Sequence, residues 1–490
     1  MKALSILLLI YLFSFSVIQS ATTIDFSNSG TGYTVSGNVI TITGEGPFDL
    51  TNSYTDKNIV VSASCTLNLN SFSLTNSGTL TPILISSGYS VTMALSGTSS
   101  LTDSSTNAND GTIYLQSGAS LTLSGTGTLN ITPNKMMAIN GTDSTSLTVS
   151  GGPTINIQST STSAGGVYLR SEINFNNAIF TYSCSSGENH AIDTEGTVKI
   201  IKGTYTLTSG EGKGIQSETY LYIGEDGGSD SDLTLTITTN NEGIEAKKIY
   251  IYSGTIKIDA EEDGINAASS GTDCDEETVQ CSGNCECFIV YKGGSLTLTS
   301  GEDGIDSNGD ITISGGQIVV FAATNTENQP VDQDGLLSIS GGTVLAAGSS
   351  SMGGVSATTT QTAKTYTGTI NSGAKLVATE TGGNEILSLT TPKAANYLYF
   401  NHDTSFAITL DGTAITLTDV ASGSNQGGPG EGGPGAPGNT DTTSTTSTTS
   451  ATTPTTQNGT DDDDDPQVYT TKGNFLESLN IMLILVFIIF

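Results

Sequence analysis

Positive charge is scarce in this chain. Its 490 residues carry 15 Lys and Arg against 48 Asp and Glu, a formal net charge of −33, and Arg170 is the single arginine. That balance excludes nucleic acid as a partner, because binding it requires basic side chains to displace condensed counterions, and this surface repels phosphates. Multivalent cations are the natural counterpart. Tryptophan is absent, so the aromatic candidates below are tyrosines. Histidine is limited to His190 and His402, far apart in sequence and both read as structural. Helical patterning is lacking as well, since almost no stretch places apolar residues at helical spacing.

What the chain has instead is alternation. Val39-Ile40-Thr41-Ile42, Leu121-Thr122-Leu123, Leu233 to Ile237 and Ile311-Thr312-Ile313 follow a period of two, separated by Gly, Asn, Asp and Ser. Short β-strands joined by turns are predicted. A small residue followed by an aliphatic one recurs at Ile139, Val167, Ile192, Ile215, Ile244, Ile265, Ile305 and Leu336, with gaps of 28, 25, 23, 29, 21, 40 and 31 residues. Most gaps suit one three-strand coil of a solenoid. A second landmark, glycine then alternating aliphatics, follows at Gly254, Gly294, Gly316 and Gly342. Two landmarks in constant order predict an all-β parallel β-helix whose stability comes from stacking coils into one core.

The ends are organised differently. Lys2 and the apolar run Ala3–Ile18, with Ser20 before Ala21, predict a secretory signal peptide over 1–20. The β-helix is expected over 21–348 and a β capping region over 349–421, closing the solenoid against edge pairing. Residues 422–480, rich in Gly and Pro and then in Ser, Thr and Asp, read as an extended stalk. The tail 481–490, IMLILVFIIF, is too short to span a bilayer of about 30 Å as a helix and ends without a basic residue. A GPI attachment signal is the expectation, with a tail buried in the fold as the alternative. The protein is thus expected at the extracellular face of the plasma membrane, lipid-anchored, and its oligomeric state is not legible.

Export implies an oxidising compartment. Cys274, Cys281, Cys285 and Cys287 lie within fourteen residues and are expected to form two local disulfides. Zinc is the alternative, although the spacing lacks paired C-x₂-C units. Cys65 and Cys184 either pair or act as small buried hydrophobes. Asn130, Asn140 and Asn458 each open an N-x-T sequon and are candidate glycosylation sites.

The segments DAEEDGINAASS (Asp259–Ser270), SGEDGIDSNGDITISGGQIVVFA (Ser300–Ala322) and GGTVLAAGSSSM (Gly341–Met352) resemble a family of bacterial carbohydrate-binding β-helix proteins known from cellulolytic clostridia. The resemblance runs from about the fortieth residue to the end of the capping region. It implies a right-handed parallel β-helix resembling pectate lyases, calcium binding, and binding of cellulose-type and polygalacturonate chains. The cysteine loop, stalk and apolar tail depart from that family's pattern.

The acidic residues are concentrated and ordered. Of the 48, 24 lie between Glu188 and Asp310. The repeat places a carboxylate before the glycine and a carboxylate or amide two residues after it: Glu242 and Glu245, Asp263 and Asn266, Asp303 and Asp306. Stacked about 4.8 Å apart, such groups repel unless protonated or bridged by a cation. Ca²⁺, which accepts carboxylates, amides and carbonyls in irregular geometry, is the expected ligand of these six residues. Solvated turn formers are the plain alternative. Tyr220, Tyr222, Tyr250 and Tyr252 alternate with aliphatic residues, so their rings face outward either as a sugar-stacking surface or as a structural aromatic stack.

These features predict a calcium-dependent polysaccharide-binding protein rather than an enzyme. A pectate-lyase-like activity would need a base, for which Lys213, Lys247, Lys248 and Lys292 lie nearest the acidic columns, but no landmark singles one out. Hydrolysis by a carboxylate pair is not diagnostic where carboxylates are so abundant. The third reading is a structural coat or adhesion protein.

Overall fold

A computed structural model describes residues 20–104, 111–134, 136–159, 161–184, 187–268 and 286–420, all within one compact unit, Met1–Gly432. The expected leader (apart from Ser20), the stalk and the apolar tail lie outside the described residues.

The fold is an all-β solenoid of about 12 turns built from parallel stacked strands. Each coil holds three short strands. In one they are Ile113–Leu115, Ser120–Gly125 and Thr128–Thr132, and the next coil supplies Ile139–Gly141, Ser146–Val149 and Thr154–Gln158. Pairing is parallel and in register, Ile113 on Ile139, Leu121 on Leu147 and Leu129 on Ile155. Alternation therefore sends every second side chain into one continuous core, where Leu121, Leu123, Leu129 and Ile131 are essentially inaccessible. Burying such a side chain stabilises by about 1.5–3 kcal/mol, but only once the neighbouring coil covers it.

Glycines occupy the corner between the second and third strands of a coil. Gly254, Gly294, Gly316 and Gly342 have φ of 116°, 94°, 82° and 87°, a region that disfavours any side chain. A Cβ on Gly316 would also stand 2.6 Å from the Gly294 carbonyl and 2.7 Å from the Tyr291 ring. This is the second landmark of the repeat.

The first landmark forms a column as well: Ile83, Ile113, Ile139, Val167, Ile192, Ile215, Ile244, Ile265 and Ile305 stand in register. Its next member is Val331, which bridges Ile305 and is 2% exposed. Leu336, expected there from the sequence, is 38% exposed. The misassignment has a simple cause: Pro330 stands where earlier repeats have a small residue, while Gly335-Leu336 imitates the motif five residues later in the same coil.

Both ends of the solenoid are closed. Near the start, Tyr33–Ser36 and Val39–Ile42 form an antiparallel hairpin, and Phe26 stacks on Tyr54 at 3.8 Å. At the other end the long strand Leu337–Gly348 pairs antiparallel with Ala395–His402, which pairs in turn with Thr362–Ile370. A separate four-stranded sheet, Lys375–Glu380, Glu385–Thr390, Phe406–Leu410 and Thr413–Ala414, packs over these through a second core that includes Phe321, Leu345, Leu398 and Phe400. The long strand of the last coil is thus paired along its outer side.

Candidate functional site

The repeat turn determines where the carboxylates stand. Gly243 N–H donates to the Asp263 carbonyl, Gly264 N–H to that of Asp303 and Gly304 N–H to that of Gln329, at 2.9, 3.0 and 3.1 Å. A Cβ on Gly264 would collide with the Leu298 side chain and the Gly304 carbonyl, so the turns can pack this closely only with glycine. Two columns result. Glu242, Asp263 and Asp303 stack in the turn and end on Gln329. Glu245, Asn266 and Asp306 stack in register on the adjoining short strands, and Asp332 follows them beside Val331.

The six expected ligands fall into two electrostatic groups. Glu242 and Glu245 both pair with Lys213, whose Nζ is 2.8 Å from Glu242 Oε2 and also contacts Glu245 Oε2. Further along, carboxylates are neighboured by carboxylates. Burial, reinforced by Glu242, Glu302 and Glu262, raises the Asp263 carboxyl to about 7 against the pull of the hydrogen bond from Asp303 N–H. Burial and the Asp263, Asp332 and Glu302 carboxylates likewise raise Asp303 to about 7, although Gln329 N–H donates to it. Asp306 is held well above the carboxylate range by dense packing and by Asp263, Asp332, Asp303 and Asp334. Asn266 donates to Glu242 Oε1 at 3.2 Å, while its own Oδ1 is buried without a hydrogen-bond partner.

Hard oxygen donors, an excess of negative charge and an orphaned amide oxygen fit the chemistry of a Ca²⁺ site. The side chains stand one coil apart, and among the described residues no three His, Cys, Asp or Glu groups enclose a common point.

The same column extends beyond what its spacing revealed. Asp193 stands in register with Tyr168 below and Gln216 above, and burial with Glu218 and Glu195 raises it to about 7. His190 accepts from Lys213 N–H at Nδ1, 2.8 Å, and burial pushes its ring down to about 4. Both flank the landmark Ala191-Ile192 at the positions that Glu242 and Glu245 take around Gly243-Ile244, but alanine replaces the glycine and histidine the first carboxylate. Of the candidate bases, Lys213 contacts the column, between two carboxylates. Lys247 and Lys248 pair with Glu286, and Lys292 with Asp226.

The four tyrosines occupy the adjoining sheet of the same coils. Strands Ile215–Ile223 and Ile244–Ile251 run through both sheets, so Gln216 and Glu245 lie on one half and Tyr220, Tyr222 and Tyr250 on the other. The rings are half-buried and nearly parallel: Tyr220–Tyr222 5.9 Å, Tyr222–Tyr250 5.1 Å and Tyr250–Tyr252 6.0 Å, with planes 9°, 10° and 17° apart. At these spacings the rings are offset-stacked, each covering part of its neighbour. Lys248 stands 5.3 Å from the Tyr220 centroid and Lys292 4.9 Å from that of Tyr252. A cleft of about 270 Å³ lined by Ile201, Tyr222, Gly224 and Tyr252 adjoins the stack.

The remaining expectations are distributed widely. Cys65 and Cys184 are buried and free, acting as small hydrophobes. Cys287 is buried beside strand Phe288–Tyr291, whereas Cys274, Cys281 and Cys285 lie outside the described residues. Asn130 faces outward and its Oδ1 accepts from Asn156 at 2.9 Å, Asn140 is 6% exposed, and Asn458 is outside the described residues.

Neither a curated protein nor a solved structure matches this chain. A family model described as carbohydrate-binding domain-containing protein matches residues 36–272 and 231–416, which together span the solenoid and most of its cap. With more than half of its length matched, the chain belongs to this carbohydrate-binding domain-containing family.

Proposed function

We infer that the protein is a calcium-dependent polysaccharide-binding protein, displayed at the cell surface on a lipid-anchored stalk, with cellulose-type or polygalacturonate-type chains as ligands. The single observation carrying this reading is that one pair of strands, Ile215–Ile223 and Ile244–Ile251, bears both the tyrosine stack and part of the carboxylate column. A chain laid along the tyrosine sheet would stack pyranose rings on the exposed parts of Tyr220, Tyr222, Tyr250 and Tyr252. Asp263, Asn266, Asp303 and Asp306 would hold Ca²⁺, with Glu242 and Glu245 at the margin because Lys213 already offsets part of their charge. Bound there, the ion would relieve carboxylate repulsion and offer a positive charge to uronates.

The test is a glycan array with and without chelator, repeated on Tyr222→Ala with Tyr250→Ala. The expected result is reduced glucan binding in the variant, with folding intact, and loss of uronate binding on chelation. Binding unchanged by either treatment would remove the tyrosine stack and Ca²⁺ from this reading, and no binding by the unmutated chain would leave the structural coat reading in its place. Release of unsaturated, ultraviolet-absorbing products from polygalacturonate would indicate a lyase. Against that outcome stands the placement of Lys213, whose Nζ is already engaged by both Glu242 and Glu245.

A further inference from the structure

A second concavity lies far along the chain from the tyrosine sheet, where the last coil meets its cap. It measures about 480 Å³ and is lined by Ser340, Gly341, Gly342, Thr343, Thr360, Gln361, His402 and Asp403. That volume is within the range of small-molecule sites, about 300–1,000 Å³, but such sites are mostly apolar. Here every lining residue is polar or glycine.

The walls are held in place. His402 is fixed on both sides: Nδ1 is 2.9 Å from Thr343 Oγ1, and Nε2 is 2.9 Å from Asp403 Oδ1 and 3.8 Å from Glu380 Oε1. Nε2 faces two carboxylates, and Nδ1 shares a hydrogen bond with the Thr343 hydroxyl. Gln361 Nε2 donates to the Gly342 carbonyl at 3.1 Å, tying the Thr360–Gln361 turn to the corner of the coil. The glycines leave the floor open.

We propose that this concavity is a second carbohydrate subsite, selective for a neutral pyranose unit. The Asp403 carboxylate, 70% exposed, and the Ser340 and Thr360 hydroxyls accept hydrogen bonds from sugar hydroxyls, and the immobilised imidazole supplies a flat wall for the sugar's C–H face. No lining residue is Lys or Arg, while Asp403 and nearby Glu380 are acidic. A uronate carboxylate is therefore repelled and a neutral hexose is not. The choice of ligand rests on the polysaccharide-binding reading; the position is independent of the tyrosine sheet and of calcium.

The experiment is calorimetric titration of the full chain with cellohexaose and with hexagalacturonate. Two cellohexaose molecules are expected per chain, falling to one in Tyr222→Ala with Tyr250→Ala and to one in Asp403→Ala. Combining the three substitutions should leave none. Residual binding in the tyrosine variant should persist in chelator and should not be matched by hexagalacturonate. If the tyrosine substitutions alone abolish all cellohexaose binding, or Asp403→Ala leaves the residual site unchanged, the second subsite is overturned while the polysaccharide reading stands. If the unmutated chain binds neither oligosaccharide, both are overturned.

Discussion

The early and late coils share a core and differ in what they turn outward. In the early coils nearly all outward positions are neutral: Thr92, Thr122 and Thr148 stack in the register that later holds Tyr222, and Tyr114 on Asn140 in the register that later holds Glu245. In the late coils equivalent registers carry Glu245, Asn266 and Asp306, or Tyr222 and Tyr250. The inward aliphatics barely change. Inward positions therefore carry the stability of the solenoid, and outward ones are free to take up chemistry, including arrangements that work against stability.

The sharpest way to break this comparison is to exchange the roles within one strand. Leu298 is fully buried and Thr297 beside it is exposed. Leu298→Ala is expected to cost about 2–5 kcal/mol, and Thr297→Ala within about 0.5 kcal/mol. Urea unfolding of the two variants measures the difference, and similar losses would contradict the division.

A smaller effect concerns the late coils alone. Asp193, Asp263 and Asp303 keep their protons up to about 7 in the folded chain, against about 3.9 for an unperturbed Asp. Between those values the folded state binds more protons than the unfolded one, so stability falls as pH rises from about 4 to about 7. In chelator the melting temperature should therefore be higher at pH 5 than at pH 8, and Asp303→Asn should reduce the difference. Each pKa unit corresponds to about 1.4 kcal/mol, enough for a shift that scanning calorimetry detects. Added Ca²⁺ should raise the value at pH 8 most. A melting temperature independent of pH and of cation would mean that the column is solvated after all.

The smallest effect is on the neutral coils. Asn130 lies on the outward face of its strand, while Asn140 is 6% exposed. Glycan occupancy, read by glycopeptide mass spectrometry, should be greater at Asn130 than at Asn140, with little change in melting temperature when Asn130 is replaced by Gln.

Much of this was legible in the chain and the rest was not, for identifiable reasons. The order of Glu242, Asp263 and Asp303 could be read because each precedes a glycine that the turn cannot replace. Asp193 and His190 flank the landmark Ala191-Ile192 at the same two positions and were passed over because alanine replaces the glycine and histidine the first carboxylate. Leu336 was misread because Pro330 hides the true repeat, and the His402 concavity draws on residues from three separate segments.

By itself the sequence determined the solenoid, its inward and outward alternation and the spacing of its carboxylates, because strand pleating and tight turns are local consequences of residue type. Only the tertiary structure decided which carboxylates meet Lys213 and which meet one another. Many of the partners there are 20 or more residues apart, as Lys213 and Glu242 are, and for these coil stacking sets the few ångströms on which charge interactions depend.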